Sequence, residues 1–70
     1  MKGDFEDIPN SVISHAIDEY VHSERDRHIM KRYLCDGLSM FQIADELDIS
    51  YKTVQRVVVK HEPKIFSHLP

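Results

Sequence analysis

Ser39-Met40-Phe41-Gln42-Ile43-Ala44-Asp45-Glu46-Leu47-Asp48-Ile49-Ser50-Tyr51-Lys52-Thr53-Val54-Gln55-Arg56-Val57-Val58 reads as two short helices joined by a tight turn. Ser39 and Gln42 stand three apart, the spacing at which each side chain accepts a bond from the other residue's backbone N–H at a helix start. They predict a helix that begins at Met40 and buries Phe41, Ile43, Ala44 and Leu47. Ser50 caps the next helix, whose inward positions are Val54, Val57 and Val58. Ala44 is the small residue that a steep, close helix crossing requires. Around it the aliphatic residues Ile43, Leu47, Ile49, Val54 and Val57 fall one before and three, five, ten and thirteen after. Asp48 occupies the turn position that favours left-handed backbone, which aspartate tolerates better than most residues.

This spacing is that of a helix-turn-helix. Val57-Val58-Val59 has strand propensity, but the Ser50 cap and the lack of a partner strand in the sequence favour a helix. Pro63 lacks the N–H that would carry this helix far past His61. Ile65, Phe66 and Leu69 then add a last turn that closes the core. Upstream, Ser23 followed by Glu24 and Asp26 marks another helix start. Its apolar face is Ile29, Met30, Tyr33 and Leu34, and Gly37 supplies the left-handed residue after an end near Cys35 or Asp36. Val12, Ile13, Ala16, Ile17, Tyr20 and Val21 lie on one face of a first helix over about 11–22, capped by Asn10 or Ser11. Residues 1–10, with Gly3 and Pro9, read as a flexible acidic tail, and 11–70 as the domain. The expected fold is all-α, a small four- to five-helix domain with a tetrahelical helix-turn-helix.

Apolar residues at 41% and charged residues at 30% are ordinary for a globular domain. No apolar run approaches a membrane span, and the acidic start lacks a secretory core, so a cytoplasmic protein is expected. Cys35 is alone and reads as a small packed residue. His15 and His22, with Asp18 between them, fall near helical spacing. No metal-site or catalytic motif accompanies them, and neither an enzyme, a metal, a cofactor nor a small-molecule ligand is expected. Net charge is −3, yet its distribution is uneven. Residues 1–23 carry one lysine against five acids, whereas residues 50–64 carry Lys52, Arg56, Lys60 and Lys64 against Glu62 alone. One basic face is the electrostatic footprint of a nucleic-acid binder.

Glu24-Arg25-Asp26, Asp36-Gly37-Leu38-Ser39, Ile43-Ala44, Leu47-Asp48-Ile49-Ser50 and Thr53-Val54 together resemble the tetrahelical motif of sigma-factor region 4 and of LuxR-type response regulators. Tyr20, Ile43-Ala44, Ser50 to Val54, Pro63 and Ile65 are also spaced as in the stage III sporulation protein D family of small regulators. The resemblance, over about residues 19–66, implies sequence-specific promoter binding and transcriptional regulation. The basic C-terminal segment of the sporulation family and the LuxR-type dimerisation helix have no counterpart in the seven residues after Pro63. A single chain is therefore expected to bind one half-site weakly and to gain affinity through a partner or a second copy on DNA.

In such a motif the second helix enters the major groove with its first residues facing base edges. With the valines turned inward, Tyr51, Lys52, Gln55 and Arg56 are the expected base contacts; glutamine suits adenine, and arginine or lysine suits guanine. Ser39, Gln42, Thr53, Lys60 and Lys64 are the expected phosphate contacts. Arg25, Arg27, Lys31 and Arg32 form either an outer phosphate patch or pairs with Glu24 and Asp26. The partner is double-stranded DNA, with RNA polymerase as a further candidate. The alternative is a protein-interaction module contacting RNA polymerase or a phage packaging component, with acidic residues 1–23 binding a basic partner or mimicking DNA.

Overall fold

The computed structural model describes residues 8–69 and contains four helices: α1 Asn10–Tyr20, α2 Glu24–Leu34, α3 Met40–Leu47 and α4 Tyr51–Ser67. No strand occurs among the described residues, and α4 packs against each of the other three helices. Most of the tail assigned to 1–10 lies outside the described residues. At its inner end that reading is corrected, because Ile8 packs on the core and Asn10 already opens α1.

α1 buries Ile13, Ala16 and Ile17, as the periodicity predicts. Its cap differs from expectation. Pro9 stands at the N-cap in extended backbone with no side-chain bond, and Asn10 Nδ2 instead donates to the Cys35 carbonyl at 3.1 Å, tying the start of α1 to the end of α2. The helix stops at Tyr20 because Val21 turns extended and enters the core, while Arg27 donates to the carbonyls of Val21 and Asp18 that α1 leaves open. His22 is therefore beyond the helix and does not share its face with His15 and Asp18. No group of three His, Cys, Asp or Glu side chains among the described residues is placed to hold a metal ion.

α2 starts as its sequence dictates, with Ser23 Oγ accepting from the Asp26 N–H at 3.3 Å and Ile29, Met30 and Leu34 buried. Gly37, at φ +75°, lets the Leu38 N–H return to the Arg32 carbonyl at 3.1 Å, which ends the helix. Cys35 is half-buried, its Sγ against the Asn10 carbonyl, and burial raises its thiol pKa. No helix among the described residues is long and apolar enough to cross a membrane.

Three expectations fail in the second half of the chain, one of them at Phe66, which is 40% exposed and does not help to close the core. α4 does not stop near His61 but runs through Pro63 to Ser67. Pro63 is exposed, and the carbonyl it leaves unbonded belongs to Val59, itself on the solvent side, where water can satisfy it. Beyond the proline Ile65 is fully buried, so packing rewards continuing the helix. Phe41, assigned to the core, is 69% exposed, because Ile43 and Ala44 take the inward face of α3 and Phe41, in its first turn, projects to the side away from Ile43.

Candidate nucleic-acid interface

The geometry of α3, the turn and α4 follows from local chemistry. Ser39 and Gln42 form the full capping box, with Ser39 Oγ accepting from the Gln42 N–H at 3.1 Å and Gln42 Oε1 from the Ser39 N–H at 2.9 Å. Asp48 sits in the left-handed region at φ 57°, ψ 45°, and the Ile49 N–H reaches back to the Ala44 carbonyl at 3.0 Å. Ser50 Oγ accepts from the Thr53 N–H at 3.1 Å, and the Ser50 and Thr53 hydroxyls are hydrogen-bonded to each other at 2.8 Å. Ala44 and Ile43 are buried, as are Val54 and Val57, while Leu47 and Ile49 pack at the edge of the core. Ala44→Leu is expected to cost about 1–3 kcal/mol through overpacking, read from urea unfolding. An unchanged midpoint would remove the close crossing.

Two polar links hold the pair of helices in place. Arg32 grips Glu46 of α3 through Nε at 3.0 Å and Nη2 at 2.6 Å, and Asp36 through Nη1 at 2.8 Å. The bond from Arg32 holds the Glu46 carboxyl below its ordinary pKa. The second link was not foreseen. His61 Nε2 and Asp26 Oδ2 meet at 2.9 Å, both residues less than 9% exposed, joining the start of α2 to the third turn of α4. Arg25 donates to the other oxygen of Asp26 at 3.2 Å. The available signal was the position of His61, three and four residues after Val58 and Val57, which puts a polar ring on the inward face where it needs a partner.

Of the predicted base contacts, Lys52 and Arg56 are exposed on α4, with Tyr51 and Gln55 half-exposed beside them. Val59, 66% exposed, lies among them. Lys60 and Lys64 are exposed as well, although Lys64 lies well round the helix from Lys52. The caps use acceptor atoms of Ser39 and Gln42, so the Ser39 hydroxyl proton and the Gln42 amide N–H groups remain as donors; the Thr53 hydroxyl is engaged with Ser50. Arg25, Arg56 and Lys60 border an open recess of about 230 Å³ together with Thr53, Val57 and Asp26. The other upstream cations are not a patch. Lys31 pairs with Asp18 at 2.8 Å, lowering the Asp18 pKa chiefly through that hydrogen bond, and Arg27 and Arg32 are held as described; their partners are not the expected Glu24 and Asp26.

The eight-residue α3, the turn through left-handed Asp48 and the 17-residue α4 with its basic outer face define a helix-turn-helix DNA-binding domain. The family model for bacterial regulatory proteins, luxR family, matches residues 21–60, more than half of the sequence, and the chain belongs to that family. It is thus a DNA-binding domain of transcription regulators, and of the resemblances read from its residues the LuxR-type one is matched. The matched span runs from Val21 through α2 and α3 to Lys60 in α4; α1 lies outside it and packs on α2 and α4. No curated protein and no solved structure matches significantly.

Proposed function

We propose that the chain regulates transcription by reading a specific duplex DNA sequence with α4 in the major groove. The observation that carries this reading is the division of α4 into an inward side, Val54, Val57, Val58 and His61, and an outward side bearing Lys52, Gln55, Arg56 and Lys60. Gln55 pairs with adenine, Arg56 and Lys52 with guanine, and Tyr51 meets a base edge at the helix start. Ser39, Gln42, Thr53, Lys60 and Lys64 engage the backbone. The recess between Arg25, Arg56 and Lys60 suits one phosphate, since three cationic side chains border it against the one carboxylate of Asp26, which Arg25 and His61 already hold.

Acids elsewhere on the chain limit the number of phosphates a single copy neutralises, so a second copy on a half-site about 34 Å away, or RNA polymerase beside it, supplies further affinity. A place in sporulation rests on the spacing of Tyr20, Ile43-Ala44, Ser50 to Val54, Pro63 and Ile65 alone. Selection from a random duplex pool identifies the preferred site. On it Gln55→Ala and Arg56→Ala are each expected to cost about 1–3 kcal/mol, with a much smaller loss on random DNA. Equal losses on both would contradict base reading.

A further inference from the structure

Phe41 is the second residue of α3 and Tyr51 the first of α4, and their rings stack with centroids 4.2 Å apart and planes 19° apart. The stack bridges the starts of the two helices, next to the serine caps, and adjoins Lys52 at the beginning of the proposed reading face. Phe41 remains 69% exposed. An aromatic ring that contributes so little to the core leaves a large apolar surface in water, at the end of the motif that meets DNA. Phenylalanine has no donor or acceptor and so gains nothing from phosphates or from polar base edges. Among the four bases only thymine presents an apolar group, its 5-methyl, in the major groove.

We infer that the Phe41–Tyr51 stack is a specificity element that packs on the 5-methyl group of a thymine at the edge of the site read by α4. The inference rests on the DNA-reading function proposed above and adds a contact from α3 to it. Tyr51 fixes the Phe41 ring by stacking on one face, and the uncovered remainder of the ring receives the methyl group. A pre-stacked pair loses little rotamer freedom on binding.

The test uses the whole chain and a duplex that it selects from a random pool, with each thymine replaced in turn by deoxyuridine, which removes only the methyl group. For the unaltered protein one replacement is expected to weaken binding about fourfold, the worth of one buried methyl group. Phe41→Ala is expected to weaken binding to the thymine duplex at least as much and to bind the thymine and uridine duplexes equally. Its salt dependence should match that of the unaltered protein, since no charge is lost. The uridine arm leaves the protein intact, so a folding defect cannot imitate it. A selected site without thymine, uridine replacements without effect, or a Phe41→Ala protein that keeps the full uridine penalty would each overturn the inference. If the pool yields no preferred duplex, the sequence-reading function falls first and this inference with it.

Discussion

Ile43→Ala is expected to destabilise the domain by about 2–5 kcal/mol, the range for deleting a fully buried isoleucine and leaving a cavity behind it. Ile43 has no exposed surface and lies in α3, an eight-residue helix. So short a helix has marginal stability alone and depends on the face it buries. The neighbouring Ala44 offers no side chain that could swing into the space. For a domain of this size the total stability is of the order of 4–10 kcal/mol, so the loss is a large share of it. Urea unfolding followed by circular dichroism should show a lower midpoint with little change in slope. Phe41→Ala, two residues away, should lower the unfolding free energy by about 1 kcal/mol or less, since Phe41 is exposed and loses little beyond its stack on Tyr51. Equal effects at the two positions would contradict the orientation of α3.

Asp26→Ala is expected to cost about 2–4 kcal/mol, between the penalty for an unmet buried donor and that for an orphaned buried charge. The substitution strips His61 of its partner at 2.9 Å inside the α2–α4 contact and frees Arg25 as well. Burial works to raise the Asp26 pKa, but the hydrogen bonds from His61 and Arg25, with their charges, outweigh it and hold the carboxyl below its ordinary value. A carboxyl with a depressed folded-state pKa stabilises the fold fully above its unfolded value of about 4 and loses that contribution as the pH falls through the folded value. The stability difference between the unaltered protein and Asp26→Asn should therefore be constant for this group above about pH 5 and shrink below pH 4. A difference that grows on acidification would contradict the assigned pair.

Where residue chemistry acts locally, the sequence was readable. The capping box at Ser39 and Gln42, the caps at Ser23 and Ser50, and the left-handed residues Gly37 and Asp48 are decided by atoms within a few positions, and all occur as expected. The failures share a different cause, the missing cap of α1 included, since the Asn10 side chain is drawn to the Cys35 carbonyl 25 positions away. Whether Pro63 ends α4 depends on whether burying Ile65 outweighs one lost bond, a balance set by residues far away in the chain. Phe41 was assigned to the core by hydrophobicity, although only the packing of α3 decides which side of that helix is covered. The Asp26–His61 pair spans 35 positions, and nothing near either residue names the other. The proposed reading face was legible for the same reason as the core: three inward valines fix what faces out.

The separation of the two sides of α4 bears on how such a domain changes over evolutionary time. Lys52, Arg56, Val59 and Lys60 are exposed, whereas Val54, Val57, Val58 and His61 carry the packing. Substitutions on the outer side touch few neighbours and shift stability by roughly half a kcal/mol or less. On the proposed reading of DNA by α4, a descendant can therefore exchange its outward residues several at a time, and acquire a new set of target promoters, without first accumulating stabilising changes in its core. Substitution without loss of the fold is open to this scaffold at positions 52, 56, 59 and 60, and closed at 26 and 61, where each change breaks a buried partnership.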